Sequence, residues 1–342
     1  MGDQNMYLVF TICSNNYLAQ AVTLGNSLIL YNPNYKFVIG LVDTKHSEID
    51  YSKIGYEVLE VEKIRIPDFE SLTMKYTVIE LNTAVKPFYF KFFFEWFPEY
   101  ETVIYLDPDI RVFSGFTELE KELVKSDIVI TPHFCTPLND DKLQTEEDFL
   151  NSGLYNLGFI AVKKTSEGLE MINWWAERLL YKAYIDLRRG LFTDQIWINF
   201  VPLFFSNVKI LTHPGYNMAY WNLHERSISI KTYEYYVNDQ YPLVFYHFSG
   251  FNPLMPEVLS KYQNRFSLQD LPEIRDLFID YSLKLFQNGY KTYIEYPNVF
   301  SNLKSKADIE KRKTEIQKIP FLLRMFRIII LKISSRYNLL LD

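Results

Sequence analysis

Cysteine is scarce in this sequence, with only Cys13 and Cys135 among 342 residues. Two distant thiols form no disulfide framework and match no metal-site spacing, which excludes a disulfide-stapled secreted domain and favours a reducing compartment. The opening segment MGDQNMYLVF lacks the basic region of a signal peptide, and Met6 stands where a myristoylation signal has Ser or Thr. We therefore expect the protein to be cytoplasmic.

Acidic residues are scarce at the carboxyl end of the chain. Residues 303–342 contain ten Lys and Arg but only four acids, whereas the remainder contains 26 basic and 38 acidic residues. An acidic body with a basic end is not the charge pattern of a nucleic-acid binder, and it predicts that the basic end meets an anionic partner. Within 324–332 the longest uncharged run is four residues, far too short to span a membrane.

The basic residues of this end share one side of a predicted helix, with Ile, Leu, Phe and Met on the other side. They are Arg324, Arg327, Lys332 and Arg336. Residues 301–342 are therefore predicted to form a basic amphipathic helical tail that lies on the inner face of the cell membrane. The alternative is a helix that packs on the domain.

The rest of the chain alternates short apolar runs with helical periodicity, which is typical of an α/β fold with a parallel sheet. The sequence predicts strands at 6–13, 37–42, 56–66, 102–106, 127–131, 158–162, 207–211 and 243–247. It predicts helices at 17–30, 83–97, 166–181 and 193–200. No internal repeat or low-complexity linker occurs before about residue 301, so residues 1–300 are predicted to be one domain with a nucleotide site at the carboxyl ends of its strands.

An acidic pair follows the predicted strand at 102–106, in the run VIYLDPDIRVF. Residues i and i+2 of an extended chain point to the same side, so Asp107 and Asp109 can converge on one ligand. Pro108 cannot donate a hydrogen bond to a sheet, which indicates that strand pairing stops there. Carboxylate oxygens suit Mg²⁺ or Mn²⁺, and such an ion can neutralise a diphosphate leaving group.

Other interpretations of this pair remain open from the residues alone. It can be a solvated turn, or part of a degenerate site in a protein that binds sugars without catalysis. An apolar strand that ends in Asp-x-Asp also opens the haloacid-dehalogenase-type phosphatases, where one Asp is the nucleophile and the other the acid. That motif usually lies near the amino terminus and continues with Thr or Val, whereas Ile110 and Arg111 follow here.

Five segments, taken together, resemble the retaining glycosyltransferases of the GT-A fold, and family 8 most of all. They occur in the family's order over residues 7–250 and are FTICSNNYL, YLDPDI, YNLGFIAV, TDQIWINFV and YHFSGF. The resemblance implies a Rossmann-like α/β domain that uses Mn²⁺ or Mg²⁺ and a nucleotide-sugar donor, with UDP-sugar expected. It also implies transfer with retention to a glycan or lipid-linked glycan acceptor.

The resemblance further implies roles for particular residues. Asp107, Asp109 and His247 are the expected metal ligands, although a lone His at a strand end is commonly a buried structural residue. Gln195 is expected to face the anomeric carbon, with Asp194 on the sugar hydroxyls. The expected donor-binding residues are Thr11, Ser14, Asn16, Tyr17, Lys86, Lys91, Asp107, Asn156 and Gly250.

The source of positive charge at the expected donor site differs from the family pattern, and the choice between two lysines stays open. The sequence after Gly250 is Phe251-Asn252-Pro253 in place of the family's Lys-Pro-Trp, so another residue must supply positive charge to the diphosphate. Of the two lysines on the helix before the acidic pair, distance along the chain favours Lys91 over Lys86, and either can instead be a solvated surface lysine.

The acceptor side has three candidate residues. Trp221 and His224 lie in the aromatic run HPGYNMAYWNLHER, which can stack on a sugar and hydrogen-bond its hydroxyls. The same run can equally be a packed loop at the rim of the core. His133 follows a predicted strand and is expected to line the acceptor cleft, with a core or capping role as the alternative.

Overall fold

The computed structural model describes residues 6–301 and 303, so the predicted tail lies almost entirely outside the described residues. The strands are β1 (Tyr7–Cys13), β2 (Lys36–Leu41), β3 (Glu57–Glu60), β4 (Thr102–Leu106), β5 (Ile110–Val112), β6 (Ile128–Pro132), β7 (Tyr155–Lys163), β8 (Ile185–Asp186), β9 (Leu191–Phe192), β10 (Val208–Ile210), β11 (Ile228–Lys231), β12 (Glu234–Val237), β13 (Tyr241–Pro242) and β14 (Phe245–His247). The helices are α1 (Leu18–Tyr31), α2 (Phe69–Lys75), α3 (Val78–Ala84), α4 (Lys86–Trp96), α5 (Thr117–Leu123), α6 (Glu146–Ser152), α7 (Ser166–Lys182), α8 (Gln195–Ile198), α9 (Val201–Phe204), α10 (Pro272–Gln287) and α11 (Tyr290–Tyr293).

Seven strands form the central sheet, in the order β10-β6-β7-β4-β1-β2-β3. The strands are parallel except β7, which runs antiparallel to both β4 and β6. The expectation of a parallel sheet is therefore corrected to a mixed sheet with one reversed strand. Because of the reversal, the amino end of β7 lies at the same edge as the carboxyl ends of β1, β4 and β6.

Helices cover both faces of this sheet and bury its apolar strands. On one face of the sheet α4 and α7 pack with Phe10, Tyr105 and Ile160. On the other face α1 and α5 pack with Val9 and with the strand residues whose side chains point to that face. The alternation of β1 residues between the two clusters is the period of two that a fully buried strand requires. A third cluster joins α10 to the segment around β14 and completes the domain.

Most predicted elements match observed ones, and the differences have local causes. The predicted strand 56–66 ends at Glu60 and continues as a turn of 3₁₀ helix, Val61–Lys63. The predicted helix 193–200 is the short helix α8, which begins at Gln195 because Thr193 has a left-handed φ of 47°. The residue at the amino-terminal cap of this helix is Asp194. Among the described residues, every helix is too short or too polar to cross a lipid bilayer.

Candidate active site

The sheet topology gathers the predicted site residues at one edge. Asp107 follows the carboxyl end of β4, and its backbone N–H donates a 2.8 Å hydrogen bond to the carbonyl of Gly158 on β7. Asn156 lies at the amino end of the reversed strand β7, and His133 follows the carboxyl end of β6. Ligands of open α/β sheets bind at this edge of the sheet.

Asp107, Asp109 and His247 form a compact group. Each offers one ligand atom, and the three atoms lie within 4.8 Å of one another. His247 Nε2 is 3.0 Å from Asp109 Oδ1 and 3.7 Å from Asp107 Oδ2. Two carboxylates and an imidazole are a donor set that suits Mn²⁺ or Mg²⁺, so these residues fit the cation that the sequence predicts.

The pKa values in this group show how strongly its charges interact. Burial raises the pKa of the Asp107 carboxyl, and the positive charges of Lys86 and His247 partly offset that effect. Burial alone would lower the pKa of His247, but the charges of Asp109 and Asp107 outweigh it and raise the pKa. Positive charge at this position is therefore favoured, which a bound cation would also supply.

Two short strands hold His247 against the acidic pair. β14 pairs antiparallel with β5, with His247 opposite Ile110, and the N–H of Phe248 donates to the carbonyl of Asp109 at 2.9 Å. The ring of His247 lies over Gly158, where an added Cβ would be 2.4 Å from His247 Cε1. A residue larger than glycine at position 158 would therefore displace the ring.

Lys86 is the lysine that reaches the site. It is 2% exposed, forms an ion pair with Asp194 and donates to the carbonyl of Leu157 at 2.9 Å. Lys91 is exposed on α4, because five residues along a helix turn the side chain about 140° away. The preference for Lys91 is corrected, since distance along the chain ignored this rotation.

Asp194 and Gln195 lie together at the start of α8, and both line a cavity of about 600 Å³. Asp194 is 2% exposed and is committed to Lys86. Gln195 Nε2 donates to the carbonyl of Ser152 at 2.9 Å, while Oε1 accepts from the N–H of Leu157 at 3.1 Å. Because backbone groups hold both ends of this amide, its oxygen has a fixed direction.

A second cavity of about 360 Å³ adjoins the first, and Asp109, Ser249 and Tyr262 line both. Tyr17, 43% exposed, and Gly250 also line it. Gly250 has a φ of 73°, a backbone conformation that favours glycine.

The remaining residues of the predicted donor turn are placed differently. Asn16 is half-buried in the turn before Tyr17. Ser14 is buried, and its hydroxyl accepts a 2.8 Å hydrogen bond from Asn298 Nδ2. Thr11 is fully buried within β1 and lines neither cavity, so its expected contact with the donor is corrected. A strand residue at the sheet centre is covered by helices on either face, which sequence alone did not reveal.

Two of the three acceptor-side candidates lie in the first cavity. Trp221 and His133 both line it, and their rings pack edge to face with centroids 5.3 Å apart. His224 lies outside both linings and packs against Phe134 and Thr136. Its expected acceptor role is therefore corrected to a structural contact of the loop.

Several residues of the site were not predicted from the sequence. Tyr105 donates its hydroxyl to Asp107 Oδ1 at 2.6 Å, and its position two residues earlier on the same strand face could have indicated it. Lys261 lines the second cavity from an irregular loop, where no periodicity marks it. Gln20 and Tyr281 also line the second cavity, and each has a buried side-chain oxygen for which the described residues provide no hydrogen-bond partner.

The mixed α/β sheet, with an acidic pair after a central strand, is the GT-A fold of nucleotide-sugar-dependent glycosyltransferases. Residues 8–178 match the family described as Glycosyl transferase family 8. This match spans half of the chain, and the protein therefore belongs to glycosyl transferase family 8. The expectations of family, fold class and enzyme type are confirmed, and the phosphatase alternative is not favoured.

Similar proteins are found among both sequences and solved structures. YfnF of Bacillus subtilis (strain 168) is 28% identical over 278 residues, covering 78% of this chain and 89% of YfnF. YfnD of the same strain is 25% identical over 280 residues, covering 80% and 87%. The glycosyltransferase GlyE of Streptococcus pneumoniae TIGR4 aligns with a TM-score of 0.45 at 16% identity, over 86% of this chain and 66% of GlyE. The galactosyltransferase LgtC aligns with a TM-score of 0.45 at 14% identity, over 81% and 95%.

Proposed function

We propose that the protein transfers a sugar from a UDP-sugar to a glycan or lipid-linked glycan, with retention of configuration and with a divalent cation. The observation that carries this proposal is the position of the Asp107, Asp109 and His247 group. Asp109 lines both cavities, so the group lies where a nucleoside diphosphate on one side would join a sugar on the other. Cleavage of that junction is the reaction that the enzyme class requires.

The three residues would hold Mn²⁺ or Mg²⁺ through Asp107 Oδ2, an Asp109 carboxylate oxygen and His247 Nε2. The cation supplies charge neutralisation of the departing diphosphate. The Tyr105 hydroxyl, which donates to Asp107 Oδ1, would leave Oδ2 as the oxygen directed to the site. Hydrogen-bonded carboxylates of this kind keep their orientation when a cation binds.

The second cavity suits the nucleoside diphosphate. The exposed ring of Tyr17 offers a stacking surface for a base, and Gln20 and Tyr281 in the lining each have a polar side-chain oxygen without a partner among the described residues. Among the described lysines and arginines, Lys86 and Lys261 line the two cavities, and Lys86 is committed to Asp194. Lys261 is therefore the residue we assign to the charge that the missing family lysine would provide.

The first cavity suits the transferred sugar and the acceptor. The ordered oxygen of Gln195 can face the anomeric carbon, whereas the Asp194 carboxylate is held by Lys86. An amide oxygen is a weak nucleophile, which supports attack by the acceptor hydroxyl from the same face as the leaving group. Transfer from that face retains the anomeric configuration.

The rim of the first cavity favours an acceptor with an apolar part. Four of its lining residues are exposed aliphatic side chains, which are Ile79, Leu143, Ile185 and Leu187. Exposed apolar groups clustered at a binding cavity indicate an apolar ligand surface. We therefore propose a lipid-linked glycan acceptor. The basic residues of the tail would attract the enzyme to the anionic membrane that carries such an acceptor.

The test is donor hydrolysis with Mn²⁺ across a panel of UDP- and GDP-sugars. The wild type, Asp109→Asn and the exposed surface control Asp270→Asn are compared. We expect slow, cation-dependent release of one nucleoside diphosphate by the wild type and the control, and its loss in Asp109→Asn. Absence of nucleotide binding, together with activity on a phosphomonoester, would contradict the proposal.

A further inference from the structure

A chain of buried hydrogen bonds leads away from His247 on the side opposite the acidic pair. His247 Nδ1 lies 3.2 Å from Asn156 Oδ1, and Asn156 Nδ2 lies 3.3 Å from His133 Nε2. His133 Nδ1 in turn lies 3.1 Å from the carbonyl oxygen of Leu154. The three side chains are 3%, 7% and 5% exposed, so bulk water competes little for these hydrogen bonds.

Backbone groups fix the direction of every bond in this chain. The Leu154 carbonyl can only accept, so His133 Nδ1 carries a hydrogen. The N–H of Gly158 can only donate, and it points at Asn156 Oδ1 at 3.2 Å, which identifies that atom as the oxygen. Asn156 Nδ2 is therefore the donor toward His133 Nε2, which accepts with its lone pair.

His133 can accept in this way because its ring is neutral. It packs between Phe149, with centroids 4.7 Å apart, and Trp221. Burial in this apolar enclosure lowers the pKa of His133 to about 3. The ring thus presents one N–H and one lone pair, as the hydrogen-bond chain requires.

We propose that His133, which together with the Gly158 N–H holds the orientation of Asn156, is a positioning residue that fixes the hydrogen of His247 on Nδ1 and leaves Nε2 free to bind the cation. Asn156 Oδ1 has no hydrogen to give, so a lone pair on His247 Nδ1 would face another lone pair. The hydrogen on Nδ1 is therefore retained whichever charge the ring carries.

This arrangement opposes the direct influence of the acidic pair. Asp109 Oδ1, 3.0 Å from Nε2, would otherwise keep a hydrogen on that atom as its donor, which would block cation binding. Groups that hydrogen-bond the far nitrogen of a metal-binding histidine fix its tautomer in this way. The inference rests on the proposed function only for the cation, since the position of the ring hydrogen can be measured without one.

The first experiment measures the ring hydrogen in the cation-free protein. Selective ¹⁵N labelling of the five histidines, at a pH where His247 is neutral, distinguishes a protonated from an unprotonated ring nitrogen. We expect the hydrogen on Nδ1 in the wild type and a shift of population toward Nε2 in His133→Phe. A wild-type hydrogen on Nε2, or an unchanged spectrum for His247 in the variant, would overturn the inference.

The second experiment measures Mn²⁺ affinity from the electron paramagnetic resonance of free Mn²⁺. We expect His133→Phe to weaken Mn²⁺ binding about tenfold or more. His213 is half-buried and takes no part in these hydrogen bonds, so His213→Phe should leave the affinity unchanged. His133→Gln can still donate to Leu154 and accept from Asn156, so it should restore affinity and also serve if His133→Phe does not fold. Equal affinity in wild type and His133→Phe would refute the positioning role.

A double-mutant cycle separates this role from simple packing. Asn156→Asp presents an oxygen to His247 whichever way the group turns, so it no longer depends on His133 for orientation. In that background His133→Phe should have little effect on the His247 spectrum. An equally large effect in both backgrounds would assign the result to packing and overturn the inference. Failure of the wild type to bind Mn²⁺ would count against the proposed function, while the cation-free spectrum would still decide the ring hydrogen.

Discussion

At the scale of single residues, the missing side chain of Gly158 sets the geometry of the site. We predict that Gly158→Ala lowers donor hydrolysis about a hundredfold, because an added Cβ would push the His247 ring from the acidic pair. Gly115→Ala is the matched control, since a Cβ there meets its nearest atom at 3.6 Å. Hydrolysis by Gly158→Ala at the rate of the control would show that the ring tolerates the displacement.

His133 also has a consequence for stability. Its folded pKa of about 3 lies below its ordinary value of 6.5, so only the unfolded chain takes up this proton between those values. The contribution of neutral His133 to the free energy of unfolding is fully present above pH 6.5. It falls as the pH decreases, by up to about 1.4 kcal/mol per pH unit. We predict that urea unfolding of His133→Phe depends less steeply on pH than that of the wild type, between neutral pH and about pH 5. Parallel curves for the two proteins would contradict this.

At the scale of elements, the Arg265 side chain makes several of the hydrogen bonds that hold the loop of residues 138–145 at the cavity, beside those from Asn264 and Tyr220. The Arg265 guanidinium donates to both carboxylate oxygens of Asp140 and to the carbonyls of Lys142 and Gln144, at 2.9 to 3.1 Å. Leu143 and Gln144 line the first cavity. The planar guanidinium is therefore the group with the most hydrogen bonds to this loop in the described structure.

We predict that Arg265→Lys speeds hydrogen exchange of the 138–145 amides about tenfold or more, because an ammonium cannot make these parallel bonds. Arg275→Lys is the control, since the Arg275 side chain is 54% exposed and its ion pair within the described part of the chain is with the neighbouring Asp276. The measurement is exchange followed by mass spectrometry. Equal exchange in both variants would mean that other contacts hold the loop.

The sequence predicted the elements that carry the acidic pair and His247, because buried strands have recognisable apolar runs and their ends are polar. It did not predict that β7 is reversed, since strand order depends on tertiary packing. The choice of Lys91 over Lys86 failed because residues on a helix are arranged by angle. Lys261 and Arg265 lie in irregular loops, where no periodicity indicates which side chains face a cavity.

At the scale of the whole molecule, the segment before the tail closes the domain. Asn298 Nδ2 donates to Ser14 Oγ and to the carbonyl of Val42, and the N–H of Val299 donates to Asp43. The ring of Phe300 packs on Phe69, with centroids 5.7 Å apart. These contacts support a domain boundary at residue 300, as we propose.

We predict that a chain ending after residue 303 keeps the melting temperature and donor hydrolysis of the full chain. A chain ending after residue 297 should melt about 5 to 10 °C lower, because it loses these hydrogen bonds and the Phe300 packing. The full chain, and not the chain ending at 303, should sediment with anionic vesicles. Equal melting temperatures for the two truncated chains would show that the domain ends before residue 298.

His247 comes much later in the sequence than Asp107, Asp109 and Asn156, which it contacts in the site, and this has a consequence during synthesis. Asn156 and His247 are 91 residues apart. A ribosome needs roughly 5 to 18 seconds to add that length. During this interval the nascent chain already has its acidic pair but lacks the histidine, so the group of Asp107, Asp109 and His247 forms only when the domain is nearly complete.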